Sequence, residues 1–182
     1  MSLLSKVKQG SPDVPDRILL YGVEKIGKST WASDSPAPLF ICSEYGLGAA
    51  LDHVNRIVVN GFQEVLDLIR ELRAEAHAYK TLVIDTADWM ESLVYSHICE
   101  RDSMKNIEAY GYGKGYIAAQ NELRSLLAAL DRLRAEKKME IIILAHALIK
   151  PFQNPIGDNY DRYIMKGNEK MTGLLKEWVD VI

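Results

Sequence analysis

Short apolar runs recur along the chain, separated by segments of a different period. Arg17-Ile-Leu-Leu-Tyr21 is closed by Gly22, and similar runs follow at Leu39-Phe-Ile-Cys42, Arg56-Ile-Val-Val59, Thr81-Leu-Val-Ile84 and Ile141-Ile-Ile-Leu144. Each is too short for a helix, and each is nearly continuous in apolar character, as strands buried on both faces of a parallel sheet require. Between them, Phe62, Val65, Leu66, Ile69 and Leu72 form a stripe of helical period, and Leu123, Leu126, Leu127, Leu130 and Leu133 form another. Such stripes report a helix face packed on a core. Strands alternating with helices predict an α/β fold, a mostly parallel sheet flanked by helices.

Three stretches break the pattern. Ser33-Asp-Ser-Pro-Ala-Pro38 reads as a tight connection, while Arg101 to Tyr116 and Lys150 to Tyr160 carry the glycines, prolines and asparagines of loops. Loops of this length in a compact domain are usually functional. The closing run Trp178-Val-Asp-Val-Ile182 reads as the start of another strand, with further strands expected beyond it.

Composition narrows the class. A chain of 182 residues with 48% hydrophobic and 26% charged residues fits one globular domain over 1–182, with residues 1–15 as an N-terminal arm. A formal charge of -3 excludes a globally basic surface, so any nucleic-acid contact must come from local clusters or from an assembly. Cys42 and Cys99 show no ligand spacing and read as reduced thiols of a cytoplasmic protein. The first residues lack the apolar stretch and cleavage site of a signal peptide, and the most apolar segment, Met139 to Ile149, is too short to span a bilayer.

The sharpest signal is Gly22-Val23-Glu24-Lys25-Ile26-Gly27-Lys28-Ser29-Thr30, which fits G-x-x-x-x-G-K-[ST] between a predicted strand and a helix. Backbone N–H groups freed by the glycines can wrap phosphates, Lys28 can reach the β- and γ-phosphates of ATP, and the Ser29 hydroxyl can ligate magnesium. Asp85 ends a strand-like run, at the sheet edge where open α/β folds bind ligands, and suits the Walker B aspartate that holds magnesium. It could instead cap the following helix, a role for which Asp88 is equally placed. Glu44 follows another strand-like run; its carboxylate could activate water for attack on the γ-phosphate, or be a solvated loop residue. His146 follows Ile141 to Ala145 and could sense the γ-phosphate, or be a structural histidine.

With those residues placed, the sequence resembles the RecA-like ATPases of phages, in particular the Sak-type single-strand annealing or recombinase group. The phosphate loop with its Glu24, the segment Pro38-Leu-Phe-Ile-Cys-Ser-Glu44, the Walker B strand Leu82-Val-Ile-Asp85 and the strand Ile141-Ile-Ile-Leu-Ala-His146 carry the likeness, which runs from about Arg17 to the C-terminus. It implies a RecA-like P-loop core, catalytic roles for Lys28, Glu44, Asp85 and His146, and a His146 strand lying between those of the phosphate loop and Asp85. The host cytoplasm is then the implied compartment. Two departures are a Tyr/Gly motif in the first loop and an end before the family's last strands.

The family's DNA-contacting loops correspond to Arg101–Tyr116 and Ala147–Tyr163. Tyr110, Tyr112, Lys114 and Tyr116 in the first and Tyr160, Arg162 and Tyr163 in the second suit stacking on bases and contact with phosphates of single-stranded DNA. Arg162, Lys166 and Lys170 are candidates for completing a neighbour's site in a homo-oligomer, or form a solvated basic face. The leading expectation is an ATPase of DNA recombination or annealing. Its rivals are an NTP-driven regulator or loader acting on a protein and a slow nucleotide-binding structural module. A small-molecule kinase lacks a lid of closely spaced arginines.

Overall fold

The computed structural model describes residue 7, residues 13–42 and residues 51–182. Strands β1 (Arg17–Gly22), β2 (Pro38–Cys42), β3 (Asn55–Val58), β4 (Thr81–Asp85), β5 (Glu140–Phe152) and β6 (Tyr160–Met165) alternate with helices α1 (Lys28–Ser33), α2 (Phe62–Ala74), α3 (Ala87–Arg101), α4 (Lys114–Lys137) and α5 (Glu169–Trp178). The sheet order is β1-β5-β4-β2-β3, all parallel, with β6 antiparallel to β5. The strand carrying His146 therefore lies between those of the phosphate loop and Asp85, the order that the resemblance implied.

The two-residue repeat of the strands divides the core in two. Leu19, Ile41, Leu82, Ile84, Ile141 and Ile143 join the larger cluster beneath α2, α3, α4 and α5. Their alternates Phe40, Val83, Ile142 and Leu144 join the smaller one with Ala32 of α1, Leu51 and Val54. Both faces of β2, β4 and the first half of β5 are covered, so these strands carry continuous apolar runs, whereas β3, expected from its sequence to be buried, is an edge strand exposed at Asn55, Arg56 and Ile57. Full burial of each Ile or Leu contributes about 1.5–3 kcal/mol. Both stripes read from the sequence are packed as expected: Phe62, Val65, Ile69 and Leu72 from α2, and Leu123, Leu126, Leu127, Leu130 and Leu133 from α4, are buried.

Two stretches expected as loops are more regular. β5 does not stop at Leu144 but runs to Phe152, and it pairs antiparallel with β6 from Ala147↔Met165 to Phe152↔Tyr160. Beyond Ala145 it leaves the buried sheet, so its residues lose the apolar pattern while keeping strand geometry. Pro151 is tolerated because this ribbon has an open edge. Between Arg101 and Tyr116, a 3-10 turn spans Ile107–Tyr110 and α4 already begins at Lys114. The Tyr110 hydroxyl pins the turn: its oxygen lies 2.8 Å from the Ile98 carbonyl and 2.7 Å from Asp102 Oδ2, and its single proton is shared between these two acceptors. Gly115 lets the turn lie against α4, since a Cβ there would meet the Ile107 carbonyl and the Tyr110 ring.

The final run is helical through Trp178; strand pairing begins only at Val181, which bridges Ile18 in parallel. Arg17 fastens this segment, with Nη2 2.7 Å from Asp180 Oδ1 and Nη1 3.1 Å from Asp131 Oδ1, while Arg134 reaches Asp180 at 3.0 Å. Among the described residues, no helix is long and apolar enough to cross a membrane.

Candidate nucleotide site

The loop from β1 to α1 is turned by Gly27, whose φ of 100° lies where a glycine is favoured. The turn starts α1 at Lys28, the only charged side chain among the buried polar residues described. Burying an ammonium requires acceptors. Lys28 Nζ donates to the carbonyls of Gly22 at 3.1 Å and Val23 at 2.9 Å, so the loop closes around its own lysine. Val23, Glu24, Lys25 and Ile26 form its exposed crest, and Thr30 is exposed on the first turn of α1.

Ser29 Oγ donates to Asp85 Oδ2 at 2.6 Å. The bond joins the start of α1 to the end of β4. Asp85 is the last residue of β4 and Thr86, rather than Asp85 or Asp88, is the N-cap of α3. The carboxylate of Asp85 is thus turned to the loop. Across β4, Cys42 stands in register with Asp85, and its thiol is pushed up to about 11 by burial and by the Asp85 charge, which keeps it protonated and unreactive.

His146 pairs in register with Gly22 and, with Lys25, Lys28, Ser29, Thr30 and Asp85, lines a cleft of about 230 Å³. The structure therefore gathers Lys28, Ser29, Asp85 and His146 into one site. Glu44 lies outside the described residues. Asp88, read from the sequence only as an alternative cap, has another partner. Its Oδ1 and Oδ2 both lie 3.1 Å from His146 Nδ1, and its Oδ1 accepts from the His146 backbone N–H at 3.3 Å. Burial alone would raise the Asp88 pKa, but hydrogen bonds from the His146 side chain and backbone and from Thr86 hold it below its ordinary value. Periodicity gave no signal for this pair, because its members are 58 positions apart.

The aromatic and basic candidates fall into two groups. In the first, Tyr112 is fully exposed, whereas Tyr110 is tied to Ile98 and Asp102, and Tyr116 donates to Glu108 while its ring meets the Tyr95 edge at 5.8 Å. Lys114 is exposed on the first turn of α4. In the hairpin, alternation separates the candidates. Tyr160 and Arg162 share a face with Phe152, Tyr160 at 5.1 Å between ring centroids and the Arg162 guanidinium 4.1 Å over the ring, while Tyr163 pairs with Ile149 on the other face. Lys166 Nζ lies 3.5 Å from Asp88 Oδ2 of its own chain, and Lys170 is the second residue of α5, its backbone N–H donating to the Asn168 side chain.

Magnesium takes oxygen ligands and keeps several waters, so one hydroxyl and one carboxylate beside a phosphate loop suit it without a protein cage. Among the described residues no group of three or more His, Cys, Asp or Glu side chains could hold a metal. Ser29 and Asp85 thus fit an ion that shares its coordination with a nucleotide. No curated protein matches the chain. Residues 15–182 match the sequence model of a family described as an AAA domain. The phosphate loop, the parallel sheet and this match over nearly the whole chain agree: the protein belongs to the AAA domain family, and its domain is a nucleotide-binding P-loop domain of the ATPase type.

Proposed function

We propose that this chain binds ATP with magnesium and hydrolyses it to ADP and phosphate. The observation that carries the reading is the 2.6 Å bond from Ser29 to Asp85 beside the buried Lys28. In this proposal Lys28 exchanges its carbonyl partners for β- and γ-phosphate oxygens, and backbone N–H groups of Gly22 to Thr30 cradle the phosphates. Ser29 and Asp85 hold magnesium, which when bound offsets phosphate charge. Glu44 is assigned, on the resemblance, to orient and deprotonate the attacking water; His146 faces the γ-phosphate. Titration calorimetry with ATP, with and without magnesium, and phosphate release over time test the reading. Neither heat of binding nor phosphate release would overturn it.

The narrower proposal is a role of the Sak-type RecA-like group, in recombination or annealing of single-stranded DNA by a homo-oligomer. Exposed Tyr112, Tyr160, Arg162 and Tyr163 support it. Since the chain carries a net charge of -3, useful affinity would come from several subunits adding small contacts along one strand. A regulator or loader acting on a protein is the second reading, favoured by the exposure of Ile149 and Ile156 in the hairpin. ATPase rates with and without single-stranded DNA separate the two.

A further inference from the structure

We propose that Asp88 is a positioning residue for His146, holding the imidazole with its proton on Nδ1 and its Nε2 edge presented to the phosphate cleft. The inference rests on the nucleotide reading above and adds to it a residue that the phosphate-loop motif does not contain.

Asp88 is not the cap of its own helix. It stands in the first turn of α3, where an acid usually serves the helix end, but the cap position belongs to Thr86. Its carboxylate is engaged instead by the residue that follows the buried part of β5, through both the ring and the backbone N–H of His146. Two contacts from one carboxylate to one residue fix the ring's orientation as well as its distance. Lys166 reaches Asp88 from the end of β6 at 3.5 Å, and its backbone N–H donates to the His146 carbonyl at 2.8 Å. His146 is therefore held on its Nδ1 edge, at its N–H and at its carbonyl.

The protonation site follows from the partner. An ionised carboxylate only accepts hydrogen bonds, so Nδ1 must carry a proton. The other ring nitrogen, Nε2, has no hydrogen-bond partner among the described residues, and the ring lines the cleft with Lys28, Ser29 and Asp85. In a neutral ring Nε2 is then a bare acceptor, able to take a hydrogen bond from water. A phosphate oxygen is itself an acceptor, so contact with it would require a ring protonated on both nitrogens. Asp88 holds the same edge in either case. Carboxylates that orient a functional imidazole through its second nitrogen act in this way at metal sites, where their loss costs about 10- to 100-fold.

The test uses the full chain and two independent readouts. Nitrogen-15 NMR of the four histidine rings, with His146 assigned by its loss in H146Q, reports which nitrogen is protonated without any need for turnover. The expected result is a proton on Nδ1 in the wild type, its transfer to Nε2 in D88A, and retention on Nδ1 in D88N, whose amide oxygen can still accept. In steady-state kinetics, D88A should lower kcat by about 10- to 100-fold with the KM for ATP little changed, D88N should recover part of it, and D88A/H146A should be no slower than H146A. A wild-type ring protonated on Nε2 alone, an unchanged ring signal in D88A, or additive losses in the double variant would overturn the proposal. Should D88A fail to fold, the wild-type and D88N ring signals decide. A wild type that releases no phosphate speaks against the hydrolysis reading, whereas the ring signal still decides the pair.

Discussion

Ser29 and Asp85 are 56 positions apart and meet in a 2.6 Å hydrogen bond, one at the start of α1 and the other at the end of β4. The meeting is a product of the sheet order. β1 and β4 flank β5, all parallel, so their carboxyl ends open on one side and present the loop, the aspartate and His146 together.

Lys28 is the first point of attack. Its ammonium is the buried cation of the loop, and alanine there removes both the charge meant for the phosphates and the group that closes the loop on Gly22 and Val23. K28A is expected to abolish turnover and to weaken ATP binding. Equal ATP affinity in K28A and wild type by calorimetry would sink the assignment.

Glu44 and Asp85 should fail differently. A residue that activates water acts only in the transition state, whereas a magnesium ligand also acts in the ground state. E44Q should bind Mg-ATP yet hydrolyse it slowly, and D85N should lose the magnesium dependence of ATP binding. Wild-type turnover in E44Q would mean that the base lies elsewhere.

Acid stability should depend on Asp180. Its pKa is lowered from 3.8 to about 2, first by the hydrogen bond from Arg17. A depressed carboxylate contributes stability above its unfolded pKa, and that contribution is lost as pH falls through the folded value. Chemical denaturation midpoints of the wild type should therefore fall between about pH 4 and pH 2. D180N should be less stable near neutral pH and flatter over that range. Parallel curves for the two proteins would show that the Arg17 pair has no such linkage.

DNA binding should follow exposed rings, not the whole tyrosine motif. Tyr112 projects freely, while Tyr116 is taken up by Glu108 and Tyr95. Y112A and Y160A are expected to weaken single-stranded DNA binding by about 1–3 kcal/mol per lost stack with ATP affinity intact. Y116A should act mainly on stability. Fluorescence anisotropy with a labelled oligonucleotide, at low and moderate salt with ATP present, measures this; no binding by the wild type would favour the protein-partner reading.

The amino-acid sequence by itself determined the strands, the two helix stripes and the phosphate loop, though not that β3 would be an exposed edge strand. Each is a local pattern: a continuous apolar run, a repeat near 3.6 residues, or glycines and a lysine at fixed spacing. The parallel sheet followed from their alternation. Tertiary structure alone decided what depends on partners distant in the chain. Asp88 is a cap by sequence and a histidine partner in the fold, because β5 brings His146 beside α3. The β5–β6 hairpin was hidden because its two faces are largely exposed, so no burial imposes a period on it. Tyr110, Tyr112 and Tyr116 read as one motif, yet a turn pinned to α3 and a helix start give them different tasks. Local periodicity is written by the backbone's own geometry, whereas the roles of chemically similar side chains are set by the neighbours, distant in the chain, that the fold brings against each one.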